Sequence, residues 1–158
     1  MFDHVLGAGK GEDAIIAVID TGIAPSALDA FGGEHRVVSG VDLVSDVAMS
    51  MDGDGRDLDP TDPGTAHPVD CPGEDSWHGT AVASVSGGAY IGFLGVAPRA
   101  GIMHVRALGK CGEGSASDIA DGIVFAAGGR LEGIYLPSYD DVRCVLYLPM
   151  PSNTYKYD

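Results

Sequence analysis

With 158 residues the chain has the length of one domain, and its 9 basic against 23 acidic residues give a formal charge of −14. That balance argues against nucleic acid or an anionic membrane surface as partner, because both demand a cationic face. Neither terminus carries an apolar stretch of transmembrane length, and Met1-Phe2-Asp3-His4 lacks the basic and apolar regions of a signal peptide.

Phe2 to Gly11 is a polar, glycine-rich entry, read as a helical turn. The run Ala14-Ile15-Ile16-Ala17-Val18-Ile19, bounded by polar residues, predicts a buried parallel strand that ends at Asp20 and the turn Thr21-Gly22-Ile23. Ala24 to Asp29 reads as a loop and short turn, and Arg36 to Val44, rich in β-branched residues, as a second strand. Met51 to Gly64 crowds the carboxylates Asp52, Asp54, Asp57, Asp59 and Asp62 among glycines and prolines. This is either a solvated acidic loop or a site for a hard cation, since Ca2+ takes oxygens from carboxylates and carbonyls along a chain that can curl around it. It is not an EF-hand, because no glutamate closes the pattern.

His78 then opens a helix of small side chains, Gly79-Thr80-Ala81-Val82-Ala83-Ser84, which can lie close to a sheet. Gly101 to Leu108 predicts a third buried strand, leading into the glycine-rich Gly109 to Gly114. Ser115 to Asp118 supply helix-capping residues, with Ile119, Ile123 and Ala126 on one face and Gly128-Gly129 as the stop. From Arg130 the character changes: Leu131 to Asp158 holds five of the six tyrosines and only Gly133 of the 24 glycines. Pro137, Pro149 and Pro151 interrupt any long helix or strand there.

Asp20 and His78 carry chemistry together. A serine hydroxyl is a weak nucleophile until a base removes its proton, and imidazole titrates near the operating pH. A buried carboxylate bonded to the other ring nitrogen fixes the tautomer and stabilises the imidazolium that forms. An α/β sheet puts such groups beyond the carboxyl ends of its strands, where Asp20 falls.

Val18-Ile19-Asp20-Thr21-Gly22-Ile23 resembles the aspartate motif of subtilisin-like serine endopeptidases, and His78-Gly79-Thr80-Ala81-Val82-Ala83-Ser84 is similar to their histidine motif. Gly95-Val96-Ala97-Pro98 and Val105-Arg106-Ala107-Leu108-Gly109 match the family's next loop and strand. The resemblance covers roughly residues 1–129 and leaves 130–158 as a tail unlike the family. It implies an incomplete three-layer α/β fold, with a mainly parallel sheet flanked by helices, and a secreted enzyme that cleaves extended polypeptides. Gly112, Glu113 and Gly114 would then form an edge that pairs with a peptide substrate or inhibitor, although the same stretch reads equally as a turn. The family's use of calcium favours a cation at Asp52 to Asp62. Cys71 and Cys111 lie on segments that both approach the family's substrate cleft, which makes a disulfide between them plausible against two free thiols. Zinc is not suggested by any CxxC or Cys/His pairing.

The family's Gly-Thr-Ser-Met-Ala-like nucleophile motif does not occur, and Asn153, in the tail, is the sole asparagine. The expected protein is thus a subtilisin-like endopeptidase lacking its serine and inactive alone. A peptide- and calcium-binding module derived from one is the alternative, and a chance match of an unrelated doubly wound domain is the third reading.

Overall fold

The computed structural model describes residues 10–31, 37–64, 71, 77–134 and 143–147, of which 28, 29 and 143–147 by backbone alone. Its frame is a four-stranded sheet of β1 (Ala14–Asp20), β2 (Val37–Asp42), β5 (Gly101–Arg106) and β6 (Arg143–Tyr147), in the order β2-β5-β1-β6. Every pairing in it is parallel. The short strands β3 (Ala89–Tyr90) and β4 (Phe93–Leu94) form a separate antiparallel hairpin.

Alternation along the strands divides the core into two faces. Ile15, Ala17 and Ile19 of β1 join Met103 and Val105 of β5 and Val41 of β2 on one side, covered by Phe125 and Ala126 of α3 (Ala116–Ala126). Ile16 and Val18 join Ile102 on the other, covered by Ala83 of α2 (His78–Gly87) and by Phe31 from the 3-10 helix Pro25–Phe31. Helices therefore flank a parallel sheet on both faces. A single-turn helix, α1 (Val47–Ser50), is capped by the Asp46 side chain.

Register aligns the carboxyl ends of three strands: Asp20 lies beside Arg106, and Arg106 beside Asp42. This charged row on an otherwise apolar sheet marks the end where chemistry is expected.

Two expectations change. Helix α3 is capped by Ser115, which accepts from the Asp118 amide at 3.0 Å, but its phase is rotated: Asp118, Gly122, Phe125 and Ala126 are buried while Ile123 is 36% exposed. The larger Phe125 takes the place in the core, and Gly122 lets the helix sit against Ile19 and Val105. Beyond residue 130, Arg143–Tyr147 forms a strand paired with Ala14–Val18, so this stretch adds to the sheet. Its five residues lie between Pro137 and Pro149, enough room for an edge strand. Among the described residues no helix is long and apolar enough to cross a membrane.

Candidate active site

Asp20 is fully buried at the end of β1, and the His78 ring opposite it is half exposed. Nδ1 of His78 lies 3.0 Å from Oδ1 and 2.8 Å from Oδ2 of Asp20. With the carboxylate accepting from Nδ1–H, Nε2 is left as the basic nitrogen, the assignment a base requires. Burial raises the pKa of Asp20, while the Thr21 amide, donating to Oδ1 at 2.7 Å, and the His78 ring hold it down. The main chain of Asp20 is fixed as well, because its carbonyl accepts from the amides of Ala107 and Leu108 at 2.9 and 3.1 Å.

The helix is brought to the strand end by contacts too close for larger residues. A Cβ on Gly79 would stand 2.6 Å from the Gly22 carbonyl oxygen and 3.1 Å from Cβ of Asp20. Gly22 itself has a φ of +100°, and a Cβ there would meet the Pro60 carbonyl at 2.3 Å. Glycine is therefore demanded twice, once for contact and once for conformation as well. Two threonines cross-link the same junction: Thr21 Oγ1 accepts from the Gly79 amide at 3.1 Å, and Thr80 Oγ1 from the Ala24 amide at 2.8 Å. Sequence reasoning missed this clamp, although each threonine adjoins a motif glycine. The first bond also satisfies one of the helix's open amides, which matters because Trp77, at φ 34°, caps α2 with no side-chain bond.

Cys71 and Cys111 form a disulfide, with Cα atoms 5.4 Å apart and 40 residues of separation. It joins the segment before α2 to the turn after β5. In that turn, Gly112, Glu113 and Gly114 are exposed, as an edge would be, but the Glu113 amide donates to Lys110 and its carbonyl accepts from Gly109. The backbone at Glu113 is thus occupied within the turn.

The acidic segment is folded on itself. Side chains of Asp52, Asp57, Asp59 and Asp62 accept from the amides two residues onward, at 3.3, 2.8, 3.0 and 3.0 Å respectively. Two arginines hold it to the body. Arg56 reaches Asp118 at 2.5 Å, Asp121 at 2.6 Å and the Leu43 carbonyl at 3.0 Å, while Arg106 bonds Asp52. Partial desolvation and then the charges of Asp57, Asp52 and Asp59 push the Asp54 carboxyl up. Among the described residues, however, no three histidine, cysteine or carboxylate side chains converge where a metal ion could sit.

Comparison with known proteins agrees with this geometry. The model of the subtilase family matches residues 11–144, extending past the boundary expected at residue 129. The extracellular protease of Xanthomonas campestris pv. campestris is 41% identical over 134 residues, covering 78% of this chain and 22% of that protein. The extracellular basic protease of Dichelobacter nodosus is 36% identical over 137 residues, with the same two coverages, 78% and 22%. Among solved structures, a protease of Pseudoalteromonas arctica PAMC 21717 superposes with a TM-score of 0.72 at 37% identity, over 89% of this chain and 42% of that one. The chain thus spans about a fifth of the length of those two relatives (22% of each). On the family match and on the Asp20–His78 geometry, this chain belongs to the subtilase family.

Proposed function

We propose that these residues are the amino-terminal part of a secreted serine endopeptidase, in which His78 is the general base and Asp20 its orienting carboxylate. The observation that carries this reading is the bond of 2.8 Å between His78 Nδ1 and a carboxylate that is itself fully buried. Nε2 would take the proton of a serine as its oxygen attacks the scissile carbonyl, and return it to the leaving amine. The positive charge formed on the ring is matched by Asp20, whose own ionisation is maintained by the Thr21 amide. Neither a nucleophile motif nor an oxyanion asparagine can be assigned within the 158 residues, so the proposal takes both from outside them. The substrate is an extended polypeptide, with exposed Gly112 to Gly114 along its path. Secretion is proposed from the two extracellular relatives.

Grafting residues 11–144 in place of the matching part of the Xanthomonas protease tests the assignment. The graft should hydrolyse a fluorogenic peptide. His78→Ala should lower kcat by about 10⁶ and Asp20→Asn by about 10⁴. A graft whose activity survives His78→Ala would refute the role of the base.

Calcium belongs to the same proposal. To bind it, the segment would have to draw ligands from Asp52, Asp54, Asp57, Asp59 and Asp62 together, with Asp52, Asp57, Asp59 and Asp62 exchanging bonds to backbone amides for a shared cation. At 100 times its dissociation constant, Ca2+ would add about 2.7 kcal/mol of stability. Calorimetry should find this gain in the parent and lose it in the double variant Asp54→Asn, Asp57→Asn. Equal gains in both would place the ion elsewhere.

A further inference from the structure

We infer that Arg106 is a positioning residue for the Asp20–His78 pair, forming the seat on which the turn between them rests. The inference builds on the proposed role of that pair and assigns a residue whose guanidinium bonds neither member. Arg106 ends β5 and is 2% exposed. Its guanidinium gathers three partners from two other segments: Nη1 donates to the carboxylates of Asp42 and Asp52, and Nη2 to the Ser50 carbonyl. Nε has no partner among the described residues. All of the anchoring is thus done by the two outer nitrogens, which leaves the stem lying across the strand ends.

That stem supports the turn. A Cβ on Gly22 would stand 3.1 Å from Cδ and 3.3 Å from Cγ of Arg106. Gly22 is in turn the residue against which Gly79 packs, so closely that a Cβ on Gly79 would stand 2.6 Å from the Gly22 carbonyl oxygen. The contacts therefore run from the Arg106 stem to Gly22, from Gly22 to Gly79, and so to the first turn of α2, where His78 is the preceding residue. Asp20 sits two residues before Gly22 and beside Arg106 in the sheet register. The acidic segment closes the same turn from its far side, since the Ile23 amide donates to the Pro60 carbonyl at 3.0 Å and the Asp62 amide to the Ile23 carbonyl at 2.8 Å. Arg106 fixes the near end of that segment through Asp52 and Ser50, so one side chain sets both surfaces between which the turn is held.

Lysine could keep the charge but not this geometry. A single ammonium on a flexible stem has no planar fork to span two carboxylates and a carbonyl at once. Loss of the fork would free the stem and let the turn shift, and with it the distance from Asp20 to His78.

The signature to measure is the Nδ1 proton of His78, because a proton in a charge-assisted bond to a carboxylate is deshielded and protected from exchange. In the whole chain labelled with 15N-histidine, Asp20→Asn should abolish the low-field resonance. Arg106→Lys should move it upfield and speed its exchange with water by about tenfold or more, the scale of a modest local opening. Phe125→Leu, in the core on the opposite face, serves as a control chosen to lower Tm comparably and should leave the resonance in place. Should Arg106→Lys not fold, Asp52→Asn removes one partner of the guanidinium from the partly exposed loop and should shift the resonance in the same direction. An unchanged resonance and exchange rate in whichever variant is read would overturn the inference, as would an equal change in Phe125→Leu. A resonance that survives Asp20→Asn would instead overturn the pair itself, and this inference with it.

Discussion

His104 makes the chain's stability depend on pH in a way that one substitution can isolate. Its ring is fully buried in β5, edge-on to Phe31 at 5.6 Å between centroids, and neither ring nitrogen has a partner among the described residues. Burial without a partner disfavours the imidazolium, and the pKa falls to about 4 from the ordinary 6.5. An unfolded chain therefore takes up the proton between pH 6.5 and 4 while the folded chain does not, and stability is lost as pH falls through this window. A difference of roughly 2.5 pH units, at 1.36 kcal/mol per unit, is about 3 kcal/mol. Asp42, pushed up to about 7 by burial, contributes with the opposite sign: its stabilising share is present at low pH and is lost as pH rises through 7. Raw profiles would blend the two. Comparing the parent with His104→Leu removes the part they share. In urea titrations from pH 7 to pH 4 the variant should gain about 3 kcal/mol relative to the parent, or roughly 6–12 °C in Tm. Parallel profiles would refute the reasoning, because they would mean that His104 is protonated or solvated in the folded chain.

Gly79→Ala should separate α2 from the Gly22 turn, since the new methyl group would meet backbone atoms that cannot swing aside. A loss of about 1–3 kcal/mol is expected in denaturant titration, and the low-field His78 resonance should weaken with it. Replacing both Cys71 and Cys111 by serine should cost ~3–4 kcal/mol in the chain-entropy description of a loop closed over 40 residues. Oxidised parent and variant that melt together would show that the bridge contributes nothing.

The juxtaposition of Asp20 and His78 was legible because each lies in a short motif with a glycine at the point of contact. The sheet was legible too, since uninterrupted apolar runs such as Ala14 to Ile19 have few other uses. The phase of α3 was not. Ile119, Ile123 and Ala126 fit a helical period as well as Phe125 and Ala126 do, and only packing against Ile19 and Val105 decides between them. Strand Arg143–Tyr147 was hidden by its neighbouring prolines, because an edge position tolerates what a central strand does not. The arginines were invisible for another reason. Arg56 and Arg106 act through partners 62 and 54 residues away, Asp118 and Asp52, and no local pattern encodes pairing at that range. In the acidic segment, composition suggested mutual repulsion relieved by a cation, whereas the side chains of Asp52, Asp57, Asp59 and Asp62 accept from backbone amides and Asp52 also meets the Arg106 guanidinium.

The proposal that His78 and Asp20 form a base awaiting a nucleophile is tested most directly by assaying the 158-residue chain itself. A fluorogenic peptide and a serine-directed phosphonate probe should give no turnover and no covalent label, since loss of the serine alone costs about 2 × 10⁶ in kcat in subtilisin. Turnover that disappears in His78→Ala, together with phosphonate on any serine of this chain, would contradict the account.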